Sequence, residues 1–348
     1  MNYIKGFDAL RAFSIILVLA AHLGVFSFFK INNDYFQVRV QTLLSGDTGV
    51  QIFFTLSGFL ITTILIKQKN ETKIGLKNFY IRRVLRLIPA LSVFYIIVSS
   101  LMFFNVIEQN YKGLLYSIFY IYNYVPEHLY SGEIAHTWSL SLEEQFYIFW
   151  PIVLLLLKKI RYIVLVSISL IAISFVFVVF YLKYDSSAFP FMPFRMFVPG
   201  IGPIMIGSLF AIINFYYIDK IKSVLKKNNL IVIIFFVMFL YPLYSPVKII
   251  YFTFLVHGIS ISCFLLWIFS NQKSSLVQAL DNKYLNYIGV ISYGIYLYQG
   301  IFLKTGPGGD NRLNIQLFPL NLILVIVLAI ASYELMEKPI LKLKKRFR

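Results

Sequence analysis

The chain has 348 residues, of which 59% are hydrophobic, 18% aromatic and only 14% charged. A soluble domain carries about 25% charged residues, so this composition excludes a water-soluble fold. The net charge of +17 leaves nucleic-acid binding or a membrane protein with cationic loops. The charges fall between long apolar runs and not along one amphipathic face, which excludes a nucleic-acid partner.

Apolar runs of about 20 residues cross the hydrocarbon core as helices. Such runs occur at 9–29, 48–66, 84–105, 139–157, 162–182, 195–217, 229–245, 248–269, 286–304 and 317–337. The first carries Asp8, Arg11 and His22 at its edge and inside, so it reads as a retained membrane helix and not a cleavable signal. Segment 111–124 is apolar but short and tyrosine-rich, and reads as interfacial. An even number of spans puts both termini on one side. That side holds 23 of the 32 Lys and Arg residues against 8 opposite, which makes it cytoplasmic. The expected fold is all-α: a polytopic bundle of about ten transmembrane helices with both termini cytoplasmic. It forms one domain over 1–348, without a soluble appendage, in the lipid bilayer of the cell inner or plasma membrane. No internal repeat is visible, which disfavours a transporter built from inverted halves.

Polar residues inside such spans are costly and therefore informative. Arg11 and His22 are about 20° apart around the first helix and about 16 Å apart along it. Asp8, three residues before Arg11, can pair with its guanidinium. The shared stripe reads as the wall of a cavity, with His22 as a base and Arg11 as an anion contact. A packing histidine beside a snorkelling arginine remains the other reading. Arg82, Arg83 and Arg86 open the third span; Arg83 and Arg86 share a face and suit phosphate, or serve as a cytoplasmic anchor. In GVQIFFTLSGFLIT, Ser57 and Gly58 allow close helix approach.

HTWSLSLEEQFYIFWP opens the fourth span on the outer side. His136, Trp138 and Ser139 stand at its rim, and Glu143 and Glu144 enter the apolar run as an acceptor-side group or a structural ion pair. The single cysteine, Cys263, excludes an internal disulfide and reads as a packing residue. No metal-ligand spacing, phosphate loop or nucleophile elbow is present, so no metal is expected.

Together these stretches resemble the acyltransferase 3 family of membrane acyltransferases. FDALRAFSIILVLAAHL resembles its first-helix signature, matched by Arg11 and His22. GVQIFFTLSGFLIT resembles its second-helix block, RRVLRLIP its Arg-x-x-Arg block at Arg83 and Arg86, and HTWSLSLEEQFYIFWP its tryptophan–glutamate block at Trp138, Ser139 and Glu143. The stretch from Arg195 to Gly207, ISYGIYLYQ and ELMEKPI are similar too, so the resemblance runs from residue 4 to about 340. It implies ten membrane helices, acyl-CoA, often acetyl-CoA, as a cytoplasmic co-substrate with no resident cofactor, and a glycan acceptor outside. That acceptor would be a surface polysaccharide, a lipid-linked oligosaccharide or peptidoglycan.

Residues and resemblance combined assign catalysis to His22 and Glu143 and acyl-CoA binding to Arg11, Arg83 and Arg86. They place His136, Trp138, Ser139 and Glu144 on the acceptor side and give Asp8, Ser57 and Gly58 structural roles. Direct attack and an acyl-histidine route both remain open. ISYGIYLYQ ends on Gln299 where the family often has histidine, so no second imidazole is expected there. The family's extracellular hydrolase-like domain is not expected beyond Arg348, so transfer finishes in the membrane part or on a separate protein. The competing function is a transporter or flippase for a lipid-linked glycan.

Overall fold

The structure, a computed structural model, describes residues 3–25, 34–71, 75–183, 195–227, 230–245, 252–303 and 313–343. Among them all regular structure is helical. In chain order the helices are α1 (Phe7–His22), α2 (Asp34–Leu43), α3 (Gly46–Glu71), α4 (Leu76–Phe103), α5 (Tyr111–Ile118), α6 (Thr137–Leu156), α7 (Ile160–Lys183) and α8 (Phe197–Gly200). They continue as α9 (Gly202–Lys227), α10 (Leu230–Phe239), α11 (Tyr241–Tyr244), α12 (Thr253–Ser270), α13 (Ser275–Leu280), α14 (Lys283–Leu303), α15 (Leu320–Ser332) and α16 (Lys338–Lys342).

Seven of the described helical stretches are long and apolar enough to cross a membrane: Phe36–Glu71, Leu76–Phe103, Thr137–Leu156, Ile160–Phe180, Gly202–Lys220, Thr253–Ser270 and Leu320–Lys342. The protein is accordingly a membrane protein. The other three expected spans fall on α1, α10 and α14, of 16, 10 and 21 residues. A 16-residue helix rises about 24 Å, short of the roughly 30 Å hydrocarbon core. α14 is long enough, but Asn286, Ser292 and Gln299 dilute its apolar character. Residues 26–29, 229, 248–251 and 304, expected within spans, lie outside the described residues, as does the basic tail 344–348. Segment 111–124 folds as the eight-residue α5 followed by a 3₁₀ turn at Tyr122–Tyr124, too short to span.

The helices form two compact units. The first comprises residues 1–74, 146–188 and 196–290. α3 is its hub and packs against α1, α9 and α12. Its crossing with α9 is made by backbone against backbone. A methyl on Gly58 would overlap the Ile204 carbonyl, and one on Gly207 the Thr55 carbonyl. Ser208 Oγ also donates to the Gly58 carbonyl at 3.3 Å. Around this crossing lie Leu56, Phe59, Leu265, Trp267 and Ile268. Buried Trp150 donates its indole N–H to Thr62 Oγ1 at 2.8 Å. The N-terminal tail is clamped at Asp281, which accepts from Tyr3 Oη at 2.8 Å and pairs with Lys5 Nζ at 3.4 Å.

The second unit comprises residues 75–145, 189–195 and 291–348, and side-chain hydrogen bonds hold it together. Ser117 Oγ bridges Tyr95 Oη at 3.0 Å and Thr137 Oγ1 at 2.9 Å. Asn110 caps α5 through Gly113 N and donates to the Leu129 carbonyl at 2.6 Å. Gln145 donates to the Tyr120 carbonyl and to Asn123 at 2.8 and 2.9 Å. These bonds pin the loop after α5 to the first turns of α6. Near the C-terminus, α15 runs into a π-turn over Tyr333–Glu337 ahead of Pro339. Such turns re-aim side chains and recur at functional sites; here Glu337 is buried.

Candidate functional site

In the first unit, α1 starts after Gly6, whose φ of +85° only glycine adopts freely. Asp8 then accepts from Arg11 Nη1 at 2.6 Å, so the predicted ion pair forms. The start of α1 presses on α14, where a methyl on Gly289 would overlap the Asp8 carbonyl. His22 is the last residue of α1 and is half-buried. Its Nε2 lies beside Gly46, the first residue of α3. The stripe joining Arg11 to His22 is not a continuous polar wall. Ile15 and Val18 lie on it, and both are fully buried. Helical periodicity placed the two polar ends on one face but carried no information about the packing between them. Ser57 and Gly58 lie in the α3 segment that crosses α9.

In the second unit the structure joins residues that the sequence had assigned to opposite sides of the membrane. Glu144 of α6 is within electrostatic reach of Arg83 and Arg86 of α4, and of its neighbour Glu143. Arg86 also acts on Glu337. The Glu144 charge reaches Tyr80, Tyr120 and Tyr293 as well. A carboxylate inside an apolar run is costly, and the charges of Arg83 and Arg86 offset part of the cost of burying Glu144. Arg83 additionally lies over the Phe79 ring, 5.7 Å from its centroid. Glu337 is fixed by Ser332 Oγ at 2.9 Å, which in turn accepts from Tyr298 Oη at 2.9 Å. Tyr293 Oη donates to the Leu87 carbonyl of α4 at 3.2 Å.

A second group surrounds the start of α6. His136 and Ser139, expected at the outer rim of the fourth span, are enclosed by the protein, at 3% and 4% exposure. The His136 ring packs edge-on against Phe94 and Tyr296, with centroids 5.5 and 5.4 Å away. Gly300 leaves room for it: a methyl there would collide with the imidazole. Ser139 Oγ and Tyr296 Oη are hydrogen-bonded at 2.6 Å, and each lies 3.1 Å from the His136 carbonyl, which accepts from whichever hydroxyl does not donate to the other. Trp138 is half-buried. The Arg195 guanidinium lies over its ring at 5.2 Å and over Tyr130 at 5.3 Å, and donates to Tyr130 Oη.

Arg195, Tyr293, Tyr296 and Glu337 were not assigned individually from the sequence. Glu337 had a readable signal, a carboxylate at the end of an apolar run. The tyrosines of ISYGIYLYQ had none, because tyrosine is common in this chain. Among the described residues, no three His, Cys, Asp or Glu side chains are grouped to hold a metal ion.

A family model described as an acyltransferase domain matches residues 4–334. A curated protein named peptidoglycan O-acetyltransferase OatA, from Listeria monocytogenes, is 30% identical over 380 residues, covering 98% of this chain and 56% of that protein. A putative O-acetyltransferase of Staphylococcus aureus is 27% identical, covering 98% and 58%. The putative peptidoglycan O-acetyltransferase YrhL of Bacillus subtilis is 29% identical, covering 97% and 55%. The chain therefore spans about half the length of these curated relatives. No solved structure matches it.

Proposed function

Because the chain belongs to the acyltransferase family whose model runs through both compact units, we propose that it is a multi-pass plasma-membrane O-acyltransferase. It moves an acetyl group from cytoplasmic acyl-CoA to a hydroxyl of a cell-surface glycan, peptidoglycan being the acceptor that the relatives' names favour. Ten spans cross the membrane in this reading, the seven apolar stretches together with α1, α10 and α14. The excess of Lys and Arg on one side orients both termini to the cytoplasm.

The observation that carries this reading is the setting of His22. Of the four histidines, His136 and His257 are enclosed, and His128 is exposed in the loop before α6. His22 alone is half-buried at the end of a membrane helix, where an imidazole is both held and reachable. It takes the proton of the glycan hydroxyl as that oxygen attacks the thioester carbonyl. The C–S bond breaks, and the departing CoA thiolate recovers the proton from the imidazolium. General-base help of this kind contributes about 10²–10⁴-fold; alignment of the two substrates contributes the rest. Arg83 and Arg86 hold the CoA phosphates, exchanging Glu144 and Glu337 for them, and Arg11, steadied by Asp8, adds a further cation. Glu143 orients the acceptor, and Trp138 with Arg195 forms the surface a sugar ring rests on.

The test is reconstitution in vesicles with acetyl-CoA and a glycan acceptor. CoA release that depends on the acceptor, with an acetyl mass gain on the glycan, is expected. Glycan movement without CoA release would replace the reading with a flippase.

A further inference from the structure

Arg195 is one of the few cations on the side that the proposed orientation puts outside, which holds 8 of the 32 Lys and Arg residues. Membrane proteins concentrate their anchoring cations on the other side, so anchoring does not account for this one. Its guanidinium lies over two rings of the second unit, 5.2 Å from the Trp138 centroid and 5.3 Å from that of Tyr130. Both rings belong to braced segments. Tyr130 packs on buried Tyr122 with centroids 6.0 Å apart, and Tyr122 Oη accepts from the Ser131 amide at 3.0 Å. Trp138 follows Thr137, whose hydroxyl donates to the Ile134 carbonyl at 2.7 Å and accepts from Ser117 Oγ at 2.9 Å. A guanidinium has five N–H donors, and Tyr130 Oη accepts from Nη1. Among the described residues no other acceptor bonds Arg195, and no carboxylate lies within ion-pair distance of it. Glu133, between Tyr130 and Trp138 in the chain, is buried and accepts from Ser131 Oγ at 2.6 Å instead. Arg195 itself is only half-buried, so a ligand can reach it.

We propose that Arg195 sets the specificity for the acceptor, and that the acceptor is an anionic glycan, a saccharide carrying a carboxylate or a phosphate. The assignment rests on the acyltransferase reading and names a substrate class that the reading leaves open. A planar guanidinium fork matches the oxygens of either group with two parallel hydrogen bonds. A neutral glycan would leave the positive charge without a partner, whereas an oxyanion supplies the counter-charge that the described residues do not. The two rings favour the positive charge where it lies. Because they also hold the side chain in place before the ligand arrives, little conformational freedom is lost on binding.

The test is acetyl transfer by the intact protein in vesicles, with acetyl-CoA and soluble peptidoglycan strands offered in three forms. In one the carboxylates are free, in one they are capped as methylamides, and in one they are capped but the strand carries phosphate esters. Transfer is read as acetyl mass gained by the strand. A charged form is expected to exceed the capped neutral form about tenfold in kcat/KM, the discrimination of one charge-assisted hydrogen bond. Which charged form leads tells carboxylate from phosphate. Arg195→Gln should bring the ratio of charged to neutral acceptor close to one, and Arg195→Lys should keep part of it. Should neither variant fold, the wild-type ratio should fall severalfold between about 0.05 and about 0.5 M salt, because the contact is open to solvent and screened. Equal transfer to all three forms, a ratio unchanged in Arg195→Gln, or a ratio indifferent to salt would overturn the assignment and leave the acyltransferase reading standing. Transfer to none of the three, without CoA release, would overturn both.

Discussion

The two units solve the same problem, helix association without water, with different emphasis. In the first, α3 and α9 meet at Gly58 and Gly207 with their backbones in contact, and apolar side chains fill the space around them. In the second, few backbones approach so closely, and Tyr, Ser, Thr, Asn and Gln side chains bond across the gaps. In lipid, small residues let dispersion replace the hydrophobic effect, while interhelical hydrogen bonds add about 0.6 kcal/mol each. The first strategy brings backbones into contact, and the second keeps polar groups inside the membrane. On the proposed mechanism His22 is the exception, a reactive group on the first unit.

Replacing that exception should have the largest effect. His22→Ala is expected to lower acetyl transfer by about 10²–10⁴-fold with expression and thermal stability unchanged; activity assays on the purified variant decide it. If activity survives, the first unit is scaffold throughout. Next comes the α3–α9 crossing. Gly58→Leu should cost about 3 kcal/mol or more, the upper end for overpacking, because the obstacle is backbone and cannot rotate away. Gly75, with open space where a methyl would sit, should accept alanine, and the two melting temperatures measured side by side sharpen the contrast.

In the second unit, Arg86→Ala removes a counter-charge of both Glu144 and Glu337. The expected outcome is about a tenfold rise in KM for acetyl-CoA, about 1.4 kcal/mol, with a smaller change in kcat. An effect confined to folded yield would make Arg86 a structural partner only. Ser117→Ala breaks one link between Tyr95 and Thr137 and should cost about 0.6 kcal/mol, well below Gly58→Leu. A loss as large as that of Gly58→Leu would erase the distinction between the units.

The smallest effect concerns pH. Burial alone would raise the Asp281 carboxyl, but hydrogen bonds from Tyr3, Asn286 and Lys5 and the Lys5 charge hold it below its ordinary 3.8. Asp281 therefore contributes to the tail clamp at any pH above about 4, and the contribution is lost only as pH falls through the lowered value. Hydrogen exchange of amides 3–6, corrected for intrinsic rates, should be flat from about pH 8 to about pH 5. It should accelerate in Asp281→Asn at every pH in that window.

The sequence by itself determined that this chain is helical and lives in a membrane, and it pointed to the segments that cross. Those properties follow from local composition: an apolar run of sufficient length satisfies its own backbone as a helix wherever its neighbours lie. The Asp8–Arg11 pair was legible for the same reason, being one turn apart. Only the tertiary structure decided that Glu144 comes within electrostatic reach of Arg83 and Arg86, and that His136 is enclosed by Phe94, Tyr296 and Gly300. Each depends on how a helix is rotated and which helix lies beside it. Those choices are made by glycine contacts and hydrogen bonds between segments distant in the chain, and no periodicity within one segment encodes them.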